Sequence, residues 1–131
     1  MTRVVVVAHQ PLASALLAVA QHVYPGCASQ LVCVDIEPDL SLEEATLKVR
    51  RSVAAAQLTA RETSPVVLVD VLGATPARAA RHAFPDAPLA AGVNVPMLWR
   101  SLCYGSESAE ALLGLALDGG TRGVTAVPRE P

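Results

Sequence analysis

Two polar side chains, His9 and Asp70, each follow a run of apolar residues that is rich in valine. Residues 4–8 precede His9, and residues 66–69 precede Asp70. β-Branched residues favour strands over helices, and short continuous apolar runs are typical of strands that are buried on both faces of a parallel sheet. Both side chains are therefore expected at the carboxyl ends of strands. Open α/β sheets place their chemistry at that edge.

If the first and third strands are neighbours, as in flavodoxin-like strand orders, His9 and Asp70 meet at this edge. A carboxylate bonded to one imidazole nitrogen fixes the tautomer and leaves the other nitrogen as an oriented nucleophile. The loop after Asp70 leads into a helix near Thr75, whose free N–H groups and dipole favour an anion. This combination predicts a site that accepts a phosphoryl group and passes it on.

Within that loop, Gly73, Ala74 and Thr75 are the residues expected to face the phosphoryl group, and the Thr75 hydroxyl adds a hydrogen-bond donor. Thr75 also suits the N-cap of the following helix, with Pro76 at its first position. A simpler interpretation stays open at this point. In it, His9 is a helix-start residue, Asp70 caps a turn, and Thr75-Pro76 begins an ordinary helix.

Two other phosphate chemistries fit the sequence less well. A receiver domain is phosphorylated on an Asp after its third strand, which matches Asp70. However, it also needs an acidic pair after the first strand, where this chain has Ala8-His9, and a Lys after a later strand, which is missing. A P-loop is excluded because no G-x-x-x-x-G-K-[ST] motif is present.

Strand-like and helix-like segments alternate along the chain, which favours a doubly wound α/β sandwich with a mostly parallel sheet. Ser41 and Glu44 match a capping box, which predicts a helix from there to about Ala60. Further helices are predicted near 12–23, 75–83, 96–102 and from about 106 to 119. The predicted strands are 4–8, 30–35, 65–69, 89–93 and 124–127.

Length and composition narrow the function further. The chain of 131 residues is long enough for one domain, residues 1–131, with a core of Val, Leu and Ala. A net charge of −2 without a basic run argues against nucleic acid as a partner. No apolar stretch reaches bilayer length and no signal peptide is recognisable, so no membrane insertion is expected. The three cysteines have unrelated spacings, which predicts free thiols in a reducing cytoplasm.

Three stretches together resemble a known family, the mannose-type enzyme IIA components of the bacterial phosphoenolpyruvate-dependent sugar phosphotransferase system. They are VVVVAHQPL at residues 4–12, VLVDVLGATPARA at 67–79 and AGVNVPML at 91–98. The last stretch is the most distinctive. The length and order of the whole chain also fit the family.

The resemblance implies a sheet of four parallel strands and a fifth, antiparallel strand, here residues 124–127, that is exchanged between the subunits of a homodimer. It implies that His9 is phosphorylated by the phosphocarrier protein HPr and passes the group to an enzyme IIB partner. Asp70 matches the carboxylate paired with the histidine, and Thr75 matches the hydroxyl residue of the phosphate-side loop. No metal or nucleotide cofactor is implied.

The chain departs from the family pattern at two positions. Gln10 stands where a glycine usually follows the active histidine, and Ala74 stands in a loop that usually has two glycines. Asn94, in the third stretch, is assigned a structural role. Two other functions stay open: a regulatory module that reports its phosphorylation state without a transport role, and the phosphotransfer subunit of a dihydroxyacetone kinase.

Overall fold

The computed structural model of the chain describes residues 2–56 and 65–131. The strands are β1 (Val4–His9), β2 (Leu31–Ile36), β3 (Val66–Val69) and β4 (Leu89–Ala91). The helices are α1 (Leu12–Val23), α2 (Pro25–Ala28), α3 (Leu42–Ala56), α4 (Thr75–Ala83), α5 (Val95–Ser101) and α6 (Ala109–Arg122). The predicted end of α3 near Ala60 lies outside the described residues.

The four strands form one parallel sheet in the order β2-β1-β3-β4. In the sheet, β2 lies on one side of β1, and the chain then crosses back to place β3 on the other side of β1. The strand order therefore reverses between β1 and β3, and parallel sheets open a crevice at such a point. The predicted α/β class, the parallel sheet and the pairing of the first and third strands are confirmed.

The valines of β1 explain why the sheet is covered on both faces, because successive strand residues point to opposite sides. Val4 and Val6 belong to a core shared with α1, α5 and α6. Val5 and Val7 belong to a second core shared with α3 and α4. All four valines are at most 1% exposed, so β1 is the buried centre of three layers.

Local signals fix several helix starts. The capping box of α3 forms as predicted: the Ser41 N–H donates to Glu44 Oε1 at 2.9 Å, and the Glu44 N–H donates to Ser41 Oγ at 3.1 Å. The backbone N–H of Ser41, and after it the Ser41 hydroxyl, lower the pKa of the Glu44 carboxyl. The prediction of Thr75 as N-cap is wrong by one residue, because Ala74 is the extended N-cap and Thr75 is already helical.

Two further expectations differ from the structure. Residues 124–127 form no strand in the single chain, so the antiparallel fifth strand is not seen in it. Cys27 and Cys103, predicted to be free thiols, form a disulfide that joins α2 to the segment after α5. The pairing arises from packing, because the cysteines are 76 residues apart in sequence. Cys33 is free; burial and then the charge of Asp35 raise its pKa to about 12, so it stays protonated.

Candidate functional site

His9 is the last residue of β1 and the first one that leaves the core. The five strand residues before it are buried, whereas the His9 side chain is 52% exposed. In the sheet His9 is paired with Ile36 of β2, and the Gln10 N–H donates to the Ile36 carbonyl at 3.0 Å. The strand ladder therefore holds the backbone of His9 up to its last residue while its ring reaches solvent.

Asp70 follows β3 and faces His9 across the crevice. Its Oδ2 accepts the backbone N–H of His9 at 2.9 Å and lies 2.6 Å from His9 Nδ1. Its Oδ1 accepts the N–H of Val71 at 2.9 Å, and its carbonyl accepts the N–H of Gly92 at 3.0 Å. The predicted meeting of His9 and Asp70 is therefore observed, and the carboxylate accepts hydrogen bonds from the last residue of β1 and from the loop after β3.

These contacts set the charge of Asp70. Burial by itself raises the pKa of a carboxyl group, and this side chain is only 14% exposed. The opposing effects are larger in sum: hydrogen bonds from the His9 backbone and ring, the charge of His9 and the bond from Val71 bring the pKa of Asp70 below its ordinary value. Asp70 is thus a carboxylate at neutral pH.

The state of Asp70 determines the tautomer of the ring. An ionised carboxylate only accepts hydrogen bonds, so the short contact to Nδ1 requires a proton on Nδ1. In neutral imidazole the other nitrogen, Nε2, then carries a lone pair. The arrangement makes Nε2 of an exposed histidine an oriented nucleophile with an anion behind its ring.

The loop after Asp70 is short, so the start of α4 follows Asp70 closely in the sequence. Four residues, 71–74, separate Asp70 from Thr75, the half-buried first residue of α4. Gly73 has a φ of +80°, and a Cβ built on it has no neighbour within 4 Å. Glycine is therefore needed at this position for the left-handed turn, and not to make room for a neighbouring atom. The N-cap residue of α4, Ala74, makes no side-chain hydrogen bond to the first N–H groups of the helix, and such N–H groups can bind an anion.

Both positions that depart from the family pattern have backbone conformations open to any residue. In the described part of the chain, positive φ occurs only at Gly73 and Gly92, so Gln10 is outside the left-handed region. Ala74 is extended, with a φ of −111°. Replacing the usual glycines at these positions therefore introduces no backbone strain.

Two more polar residues at this edge have structural contacts. Asn94 Oδ1 accepts the Met97 N–H at 2.9 Å and its amide donates to the Gly120 carbonyl at 3.2 Å, so it caps α5 and ties it to α6. Sequence reasoning missed the role of Asp35, which accepts the Ser14 N–H at 3.0 Å and supports the first turn of α1. Its signal was present, because Asp35 is a polar residue in the apolar run of β2, one position before the strand ends at Ile36.

Comparison with known proteins identifies the family. The family model described as the fructose IIA component of the phosphotransferase system, EIIA-man, matches residues 3–113. The chain belongs to this family. The match contains His9, Asp70 and the loop to Thr75, and the predicted resemblance is confirmed. A role as a phosphotransferase-system phosphocarrier goes with this membership. No curated protein sequence matches the chain.

Solved structures with the same fold include several enzyme IIA components. The mannose/sorbose-specific IIA subunit from Enterococcus faecalis has a TM-score of 0.81 at 21% identity, over 99% of this chain and 97% of that one. Component EIIA from Streptococcus agalactiae has a TM-score of 0.78 at 18% identity, over 96% and 97%. The IIA protein associated with the fucose utilization operon of Streptococcus pneumoniae has 0.71 at 16%, over 96% of each chain. At these identities the likeness supports the fold.

Among residues 2–56 and 65–131, no helix combines the length and the apolar character that crossing a membrane requires.

Proposed function

We propose that this enzyme IIA family member is a phosphohistidine carrier that accepts a phosphoryl group on Nε2 of His9. The observation that carries the proposal is the 2.6 Å contact between His9 Nδ1 and Asp70 Oδ2 at the switch point of the sheet. This contact fixes the tautomer of the His9 ring, and the ring is also half exposed. Transfer of a phosphoryl group between proteins requires both properties. A histidine that only packed against the sheet would need neither property.

In the transfer step, the lone pair of Nε2 forms a bond to the phosphorus of the donor phosphohistidine. The donor's N–P bond breaks at the same time, and its electron pair returns to the donor nitrogen. The His9 ring gains positive charge as the new bond forms. The Asp70 carboxylate compensates for that charge through the proton that stays on Nδ1. Positioning and charge compensation supply most of the catalysis in such a transfer.

The start of α4 is proposed to stabilise the phosphoryl oxygens. Its uncapped N–H groups and the positive end of its dipole favour an anion, and the Thr75 hydroxyl adds a donor. Gly73 and Ala74 shape the loop that positions this helix start. The roles of these three residues rest on their place in the chain after Asp70.

The proposed donor is phosphorylated HPr and the proposed acceptor is an enzyme IIB protein, following the family to which the chain belongs. The proposed location is the cytoplasm, where these partners work. Sugar transport and a regulatory role would use the same phosphorylated state of His9. They are distinguished by whether a IIB protein takes the group from the phosphorylated chain at a rate comparable with its loading.

Substitution of each histidine tests the assignment. The chain contains three histidines, His9, His22 and His82, so two serve as matched controls. After incubation with phosphoenolpyruvate, enzyme I and HPr, we expect His22→Ala and His82→Ala to gain one acid-labile phosphoryl group. We expect His9→Ala to gain none while keeping its thermal unfolding transition. Labelling of His9→Ala at the rate of the unsubstituted protein would refute the proposal.

The proposed assembly is a homodimer in which residues 124–127 pair with a second copy. In the single chain, Val124 is 78% exposed and Val127 is 87% exposed, although both residues are apolar. β4 lies at the edge of the sheet, with β3 on one side. An apolar segment that has no place in its own chain and a sheet with an open edge are consistent with strand exchange.

A further inference from the structure

A second carboxylate, that of Asp35, belongs to the strand on the other side of β1 from Asp70. In the sheet Asp35 is paired with Ala8, the residue before His9. It is the charged residue in the otherwise apolar run of β2, and it is half-buried. Removing a carboxylate from water costs free energy unless hydrogen bonds replace the lost water, so the contacts of Asp35 indicate what it does.

The Asp35 side chain caps the helix that follows His9. Its Oδ1 accepts the N–H of Ser14, the third residue of α1, at 3.0 Å. The first N–H groups of a helix have no acceptor within the helix, and the N-cap residue Pro11 makes no side-chain hydrogen bond to them. A carboxylate also interacts favourably with the positive end of the helix dipole. Asp35 therefore does the work of an N-cap residue from a different element.

The end of β2 holds both ends of the connection between His9 and α1. That connection consists of two residues, Gln10 and Pro11. At its start, the Gln10 N–H donates to the carbonyl of Ile36, the last residue of β2, at 3.0 Å. At its end, Asp35 holds the first turn of α1. The path of the chain after His9 is thus fixed by two consecutive residues of β2.

Asp35 also links the two helix layers at the level of His9. Lys48 of α3 donates from Nζ to the Asp35 carbonyl oxygen, and the same Nζ pairs with the Glu37 carboxylate. Helix α3 covers one face of the sheet, and α1 covers the other. The main chain of Asp35 is therefore bonded to one layer and its side chain to the other.

We propose that Asp35 is a positioning residue for phosphoryl transfer on His9. By holding the first turn of α1, it keeps the end of β1, and with it the His9 ring, in the orientation in which the ring meets Asp70. It acts through Ser14 and not by contact with the phosphoryl group. The inference rests on the proposed function for the reaction. Small displacements of a reacting group cost much of its rate, so loss of this cap should slow the transfer.

Substitution of Asp35 tests the proposal in loading from phospho-HPr. We expect Asp35→Ala to lower kcat by about tenfold with little change in KM, because the nucleophile is displaced while the surface that meets the donor is kept. Asp35→Asn keeps an Oδ1 acceptor for the Ser14 N–H and should restore kcat to within about twofold of the unsubstituted protein. An unchanged kcat for Asp35→Ala, or an Asp35→Asn variant as slow as Asp35→Ala, would overturn the proposal.

Ser108→Ala is the matched control, because it removes a similar helix cap far from the site. Ser108 Oγ accepts the Ala111 N–H at 3.1 Å at the start of α6. This helix start lies at the opposite end of β1, where the Thr2 hydroxyl donates to the Glu107 carbonyl. We expect both alanine variants to lower Tm, and only Asp35→Ala to lower kcat. An equal decrease of kcat in both would mean that the Asp35 cap acts through stability alone.

A measurement on the unphosphorylated protein separates this inference from the carrier function. The exchange of the His9 Nδ1 proton with water is followed by NMR of the histidine-labelled protein. We expect faster exchange in Asp35→Ala than in the unsubstituted protein, Asp35→Asn and Ser108→Ala. Unchanged exchange in Asp35→Ala would overturn the inference, because His9 would then be held without Asp35. Failure of the unsubstituted protein to accept a phosphoryl group would instead refute the proposed function, and this exchange experiment does not depend on it.

Discussion

At the scale of single residues, three hydrogen bonds hold the Asp70 carboxylate in one position. Its two oxygens accept the backbone N–H of His9, the Nδ1 proton of His9 and the N–H of Val71. Three donors from two segments leave the carboxylate little freedom, so the imidazole that it contacts has one orientation. The account of the site depends on this geometry, because it decides which ring nitrogen is free.

Asp70→Asn should slow phosphoryl transfer without preventing it. In asparagine an NH₂ group, which is a donor, replaces one of the two acceptor oxygens. The side chain can then no longer accept all three N–H groups, and Nδ1 of His9 is no longer required to carry a proton. We expect a decrease of about 10- to 100-fold in the loading rate from phospho-HPr. Asp39→Asn, at an exposed turn, is the control and should transfer normally. An unchanged rate for Asp70→Asn would mean that Asp70 only supports the turn.

The depressed pKa of Asp70 also predicts a pH-dependent stability. A carboxyl group whose pKa is lower in the folded state stabilises the fold above its unfolded pKa, about 3.9. This contribution is lost as the pH falls through the folded value. We expect the unfolding free energies of the unsubstituted protein and Asp70→Asn to differ more at pH 7 than near pH 3, as measured by urea denaturation. A difference that does not change with pH would contradict this.

At the scale of elements, the loop between β3 and α4 depends on one glycine. Gly73 has a φ of +80°, a conformation that costs an L-residue about 1–2 kcal/mol. Because an added Cβ has no neighbour within 4 Å, Gly73→Ala should lower the free energy of unfolding by that conformational cost alone. Urea denaturation measures it.

Gly114→Ala is the matched control for that experiment. Gly114 lies inside α6, and a Cβ there also meets nothing within 4 Å. In a helix interior alanine is favoured over glycine, so this change should raise stability by about 0.5–1 kcal/mol. Two changes of the same chemistry should thus have opposite signs. A stabilising effect of Gly73→Ala would contradict the left-handed conformation of Gly73.

An element could be predicted well where its sequence signal comes from residues that are neighbours in the chain. The valine run of β1 and the capping box of Ser41 and Glu44 act through neighbouring residues, and both formed as expected. The pairing of His9 with Asp70 followed from a strand order that the alternation of strands and helices already favoured. The helix cap was displaced to Ala74 because an extended backbone, rather than a capping side chain, begins α4.

At the scale of the whole molecule, the features that sequence reasoning missed depend on distant packing. The Cys27–Cys103 disulfide joins segments 76 residues apart, and no spacing rule indicates such a pair. A groove lined by Leu72, Arg78 and Leu89 is likewise formed by the loop after Asp70, α4 and β4 together. Residues 124–127 form no strand in the single chain, and their pairing with a second copy stays a prediction.

Removal of the C-terminal segment tests the proposed dimer. Deletion of residues 124–131 removes both exposed valines, so we expect a monomer of lower thermal stability by light scattering and thermal unfolding. Deletion of residues 128–131 alone leaves Val124 and Val127 in place and should preserve the dimer. A stable dimer after the longer deletion would contradict strand exchange.

The central claim is that Nε2 of His9 carries the phosphoryl group while Nδ1 keeps its proton against Asp70. Long-range ¹H–¹⁵N NMR of the phosphorylated, histidine-labelled protein tests it most directly, because it distinguishes the two ring nitrogens of each histidine. The account predicts that phosphorylation shifts Nε2 of His9 and leaves Nδ1 protonated. Phosphorylation of Nδ1, or of His22 or His82, would contradict it.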